Sequence, residues 1–176
     1  ELQNQKQQSI LIFLHNFLKS RGVKNNMINA RSFIKANNNH TEIDPYNLSM
    51  KGEFKCRSDR LCHLMDSDEL IYVTQGFIAS TANCHPCILS RSGSDTSASL
   101  IAAGLGAERV EIWTDVNGLY TADPNTIPEA LLIKEINYDI AQEISASGSQ
   151  VIHPFCSIPC EEKNVPIWIK NTFDPD

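Results

Sequence analysis

Apolar residues recur at helical spacing from Ile10 to Leu18, where Ile10, Leu11, Phe13, Leu14, Phe17 and Leu18 form a broad stripe, with Gly22 placed to stop the helix. The stripe predicts a helix that buries its apolar side in the core. Val23 to Asn29 reads as a short strand and Ala30 to Ala36 as a brief helix. From Asn37 to about Asp68 the chain is polar, weakly periodic and broken by Pro45 and Gly52, which predicts loop. The pattern sharpens from Leu70 onward. Leu70–Thr74, Cys87–Leu89, Arg109–Thr114 and Val165–Lys170 read as strands, and Asp95–Leu105, Tyr138–Ser147 and Pro154–Asn164 as helices. Trp113 and Trp168 fall in apolar strands and are expected in the core.

Strands alternating with helices predict an α/β fold with a mainly parallel central sheet covered on both faces, because parallel neighbours need crossover connections. Ligands in such sheets bind beyond the carboxyl ends of the strands. That rule points to the loops after Leu89 and Trp113. There is no internal repeat, and no low-complexity segment beyond the Asn and Gln clusters near the start.

Composition narrows the class. The 176 residues suit one domain with a core, and 41% hydrophobic residues, 20% charged residues and a mean hydropathy of -0.25 are ordinary for a soluble globular protein. A net charge of -6 and a pI near 5.3 argue against nucleic acid as a partner, which would require clustered Lys and Arg. No apolar run approaches the roughly 18 residues that span a bilayer, and the opening Glu1-Leu-Gln-Asn has no signal-peptide layout. A cytoplasmic protein is expected, with the six cysteines reduced. Cys84-His-Pro-Cys87 has redox- or zinc-like spacing, but a tetrahedral site would need Cys156, Cys160 or His153 beside it. No metal site is therefore expected, and Asn83 with Pro86 predicts a turn between two strands.

Two segments could carry chemistry. Leu89-Ser-Arg91-Ser-Gly93-Ser94-Asp95 leaves a strand and enters a helix: Gly93 allows a tight turn, Ser94 or Asp95 can cap, and the exposed N–H groups favour an anion. Arg91 adds a fork of donors matched to a carboxylate or phosphate. Such a turn is also a common structural device. The second segment runs from Ile112 through Thr114, Asp115, Gly118 and Tyr120 to Asp123-Pro, presenting hydrogen-bonding groups and a flat ring at the sheet edge, as a nucleotide base and sugar would need. A surface hairpin with a packed Tyr would look the same.

With Val73-Thr-Gln-Gly-Phe77-Ile-Ala before them and Val151-Ile-His-Pro154 after them, these segments resemble the aspartokinases of the amino-acid kinase superfamily. The corresponding runs there are approximately VTQGFI, LGRGGSD, IWTDVDGVYTADPR and FGAKVLHP, matched without gaps from Phe77 to Pro154, and four ordered motifs over about a hundred residues are specific. Lys170-Asn-Thr-Phe-Asp-Pro resembles the point where that family passes into ACT regulatory domains, so no ACT domain is expected within these 176 residues. The resemblance implies a three-layer α/β/α amino-acid kinase fold with its N-terminal part missing: residues 1–69 a helical and loop segment, and 70–172 the nucleotide- and aspartate-binding part. It implies ATP-dependent phosphorylation of the L-aspartate β-carboxylate to 4-phospho-L-aspartate, with Mg²⁺ on the phosphates, at the head of the route to lysine, threonine and methionine. By the same resemblance Phe77, Arg91 and Ser94 bind the amino acid and Asp95 organises the transfer. Thr114, Asp115, Tyr120, Asp123 and Gln150 hold the nucleotide.

The chain departs from the family at positions where cations are expected. Gln150 stands for the Lys of FGAKVLHP and Asn125 for the Arg of TADPR, and the Lys-Phe-Gly-Gly-Thr-Ser opening has no counterpart. Phosphoryl transfer relies on positioning and on neutralising moving charge, so these changes imply weaker ATP binding or turnover. The family's Glu for the substrate amino group back-counts to Gln7, with Glu1 as another candidate. His153 reads as a helix-starting residue rather than a base, since an ionised carboxylate needs no proton removed. Three readings stay open: an aspartate kinase segment; a kinase of glutamate, carbamate or a nucleoside monophosphate; and a catalytically impaired nucleotide-binding or subunit-interaction relative. The partner would be a second copy in a homo-oligomer or the missing portion of a longer aspartokinase.

Overall fold

The computed structural model describes residues 2–36, 42–43, 50–51, 54–65, 71–89, 92–124, 126–146 and 154–174. Helix α1 (Leu2–Ser20) stops as expected: Gly22 takes φ +76°, its N–H reaches the Lys19 carbonyl at 3.0 Å, and the Val23 N–H reaches that of Leu18 at 3.0 Å. The expectation for its apolar stripe is overturned. Leu11 is buried, but Ile10, Ile12, Leu14 and Phe17 are exposed, and Phe13 is 70% exposed. The reason lies in what α1 rests on, the parallel pair β1 (Asn26–Met27) and β6 (Tyr72–Val73). Two strands of two residues cover only one line of the helix, through Gln7, Leu11, His15 and Leu18. His15 Nδ1 lies 2.6 Å from Asn25 Oδ1.

A short 3-10 turn, Ala30–Ser32, is capped by Asn29, whose side chain accepts the Arg31 N–H at 3.1 Å. The predicted helix does not continue to Ala36, because β2 (Ile34–Ala36) follows immediately. Phe33 and Ile34 are fully buried there, and burial on a sheet overrides local preference. The predicted loop beyond it also holds structure: β3 (Glu42–Ile43) pairs antiparallel with β4 (Met50–Lys51), β5 (Phe54–Cys56) pairs antiparallel with β2, and α2 (Ser58–Leu64) buries Leu61. Strands of two or three residues are too short to display alternation.

β7 (Ile78–Ser80) lies parallel to β2 and forms an antiparallel hairpin with β8 (Pro86–Ile88), giving the four-strand order β5-β2-β7-β8. The hairpin turn carries Cys84, whose N–H bonds the Thr81 carbonyl at 3.0 Å, as the turn reading of Asn83 and Pro86 anticipated. Phe33, Ile34, Leu61, Ile78, Leu89 and Leu100 form the core over this sheet.

α3 (Gly93–Leu105) then crosses to β9 (Val110–Thr114), and α4 (Tyr138–Ala146) and α5 (Pro154–Glu162) precede β10 (Ile167–Asn171), which pairs parallel with β9 over five residues. α3 packs on α5 through small side chains: Ser99 Oγ lies 3.1 Å from Cys156 Sγ, and Cys160 Sγ faces the Ser99 carbonyl at 3.8 Å. Trp113 and Trp168 are not core residues. Alternation turns Val110, Ile112, Ile167 and Ile169 inward, which leaves both tryptophans 48% exposed on the outer face, under Lys170 and Arg109. Among the described residues no helix is long and apolar enough to cross a membrane.

Candidate functional site

Phe77 adopts φ +69°, a region that side chains with a Cβ rarely occupy, so its surroundings must hold it there. Its N–H donates to Ser97 Oγ at 3.0 Å, Ser97 Oγ donates to the Gly93 carbonyl at 2.7 Å, and the Phe77 carbonyl accepts the Leu89 N–H at 2.9 Å. Its ring lies against the first residue of α3. A Cβ at Gly93 would come within 2.4 Å of Phe77 Cδ2 and 2.9 Å of Leu89 Cβ, so only glycine fits. A Cβ at Gly76 would meet Ser94 Oγ at 3.2 Å. The structure therefore brings Phe77 and Ser94 together across a seam of two glycines. Ser92, in the left-handed region at φ +56°, turns the chain into α3.

Asp95 lies one residue further on, partly buried in the first turn of α3. Burial pushes its carboxyl above the usual carboxylate range. Arg91, Asn125, Gln150 and His153 lie outside the described residues.

The connection of α3 to β9 decides where the second segment sits. The helix returns along the strand it precedes, and its 13 residues span about 20 Å against about 16 Å for the five of β9. The start of α3 and the end of β9 therefore emerge at one edge of the molecule. β10 runs parallel to β9 with Asn171 opposite Thr114, which adds the end of β10 to the same edge. There Thr114 Oγ1 donates to Asp115 Oδ1 at 3.1 Å, the Thr114 carbonyl accepts the Thr172 N–H at 2.8 Å, and the Asn171 amide donates to Asn117.

Beyond Asp115 the chain forms a hairpin. The Thr121 N–H reaches the Leu131 carbonyl at 2.9 Å, the Ile133 N–H reaches the Leu119 carbonyl at 2.8 Å, and Tyr120 pairs with Leu132. Gly118, at φ +138°, lets the chain turn while leaving room for Leu132. Asp123 organises the next turn, accepting from Thr126 Oγ1 at 3.0 Å and, through its carbonyl, from the Ile127 N–H at 2.8 Å.

A cavity of about 960 Å³ lies between this hairpin and β10. Asn117, Gly118, Leu119, Ile133, Tyr138 and the length of β10 line it, with Lys170 and Asn171 at the strand's end. Thr114, Asp115, Tyr120 and Asp123 do not line it; the residues between and opposite them do. A hairpin bearing Gly118 was one reading of this segment, but nothing local in the sequence marks Tyr138 or β10 as its opposite wall.

The parallel pairs β1–β6, β2–β7 and β9–β10, combined with antiparallel neighbours and with helices that cross between strands, define an α/β domain of the wound type. The chain belongs to the amino acid kinase family, whose sequence profile matches residues 7–171. It is 34% identical over 157 residues to an aspartokinase of Chlamydia pneumoniae, an alignment that takes in 89% of this chain and 34% of that protein. Among solved structures, Escherichia coli aspartokinase III in complex with aspartate and ADP superposes with a TM-score of 0.72 at 30% identity, over 90% of this chain and 34% of that one. Aspartate kinase from Synechocystis gives a TM-score of 0.75 at 27% identity, over 96% of this chain and 26% of that one. The fold is the amino-acid kinase fold, and the chain spans about a third of the length of the aspartokinase it matches.

Proposed function

We propose that this chain is the nucleotide- and aspartate-holding part of an aspartokinase, acting in ATP-dependent transfer of a phosphoryl group to the β-carboxylate of L-aspartate to give 4-phospho-L-aspartate and ADP. What supports this reading is the shared edge that follows from the α3–β9 connection: the Phe77–Asp95 seam lies at the start of α3 and the Thr114–Asp123 hairpin leaves the end of β9. Phe77, Ser94 and Arg91 bind the amino acid, Asp95 organises the transfer, and Thr114, Asp115, Tyr120, Asp123 and Gln150 hold the nucleotide. Residues 70–172 supply these groups and 1–69 buttress them. A reduced, cytoplasmic setting suits the exposed thiols of Cys62 and Cys84.

Among the described residues no three ligand side chains cluster for a metal. Mg²⁺ bound mainly by phosphates and water needs only one or two carboxylates, and Asp95 at the start of α3 fits that role. The ion would neutralise phosphate charge, while the chain positions the two substrates.

Gln150 and Asn125 favour a second reading, a binding-competent relative with slow turnover, because charge-assisted bonds are roughly twice as strong as those of a neutral amide. Calorimetry with ADP and with L-aspartate, before and after Gln150→Lys and Asn125→Arg, separates the two. Binding of both ligands with ADP release rising in the double variant supports the kinase. If no form binds nucleotide, both readings fall.

A further inference from the structure

We infer that Gln75 is a positioning residue for the amino-acid pocket, tying α1 and the turn after β1 to the strained Phe77 backbone; this rests on the aspartate-binding reading above. Gln75 is 2% exposed, and its amide is engaged at both ends. Oε1 accepts the Ala30 N–H at 3.0 Å, which fixes which way the amide faces, and Nε2 then donates to Gln8 Oε1 on α1 at 2.8 Å. Ala30 is itself fully buried, so its N–H has no water to turn to if the side chain is lost.

The neighbourhood explains why such a tie is needed. Phe77 itself is held at its N–H by Ser97, at its carbonyl by Leu89 and at its ring by the glycine seam. Upstream of it, Thr74 supplies no side-chain anchor, since its buried hydroxyl has no hydrogen-bond partner among the described residues. Gln75 is therefore the side chain that fixes the near end of a three-residue span ending in a left-handed phenylalanine. A strained backbone persists only where both flanks are held. Gln8 lies beside the line of Gln7, Leu11, His15 and Leu18 that rests on the strands, so its bond to Gln75 adds a second point that fixes where α1 sits relative to the pocket.

Three variants of the full chain test this: Gln75→Leu, which removes both bonds; Gln75→Glu, which keeps the acceptor for Ala30 and can take a donor from a rotated Gln8; and Gln8→Ala. Titration calorimetry with L-aspartate and separately with ADP is combined with hydrogen exchange resolved to the 76–80 and 167–171 backbone. The expected result is about tenfold weaker aspartate binding in Gln75→Leu, with ADP binding changed less than about twofold and Gln75→Glu near the parent. Exchange should quicken at 76–80 and not at 167–171. Equal losses for both ligands, or exchange quickening at both segments, would make Gln75 a general stabiliser and overturn the inference. Should the parent chain bind ADP but not aspartate, the aspartate reading fails, and the exchange comparison alone still decides whether Gln75 holds Phe77.

Discussion

Burial holds the Asp95 carboxyl above its ordinary range, so keeping it ionised at neutral pH works against folding. The sign follows from linkage: a raised folded-state pKa favours the fold fully below the ordinary value of 3.8, and that advantage is lost as pH rises through the folded value. Asp95→Asn removes the charge without changing the shape. At pH 7 it should raise Tm by about 2 °C and, on the kinase reading proposed above, abolish phosphoryl transfer, and the gain in Tm should shrink toward pH 4, as read by scanning calorimetry. A lower Tm at pH 7 would mean that the carboxylate is held by a partner rather than strained by burial. The same logic makes Gly93 indispensable for a steric reason, because any side chain there displaces the Phe77 ring.

Among the elements, the α3–α5 seam is the place where cysteine chemistry becomes structural. Burial pushes the Cys156 thiol from an ordinary 9.0 to about 12, and raises Cys160 as well. Both therefore stay protonated in the fold, and their contribution is complete below pH 9 and lost as pH climbs toward the folded value. A thiol reagent at pH 8 should label Cys62 and Cys84 within the mixing time, whereas Cys156 and Cys160 should react only on unfolding, with midpoint denaturant concentration falling above pH 9. Fast labelling at Cys156 would show that the seam opens in the native state. These longer elements were legible from sequence: α3, β9, α4, α5 and β10 fall within a few residues of expectation, because each carries enough turns or alternations to reveal its period. β2, β5 and β7 were not, since three residues hold no period and tertiary burial decides their state. The site divides in the same way. The motifs named Phe77 and Ser94, and the structure packs Gly93 against the Phe77 ring and Gly76 against Ser94, but the cavity wall formed by Tyr138 and β10 depends on packing across some fifty residues of chain, which no local pattern encodes.

At the scale of the molecule, the described structure leaves surfaces open that wound α/β domains usually cover. β9 pairs with β10 alone and β6 with β1 alone, so each pair keeps strand edges free among the described residues. One side of α1 presents Ile10, Phe13, Leu14 and Phe17 to solvent, with the Phe13 and Phe17 rings stacked 6.3 Å apart. Contiguous apolar surface of that kind binds hydrophobic dyes. Phe13→Glu with Phe17→Glu should at least halve anilinonaphthalene sulfonate fluorescence while leaving Tm within about 2 °C of the parent, since neither ring is buried. A large drop in Tm would instead place α1 within the cooperative core.

The two tryptophans of the chain both stand on the outer face of the strands that end beside the hairpin, each lying under a cationic side chain. Nature has thus installed an optical gauge there. Indole emission from this protein originates entirely from that one ribbon, so its colour and intensity speak for the β9–β10 half alone, and changes confined to the Phe77 half pass unseen unless they travel through α3.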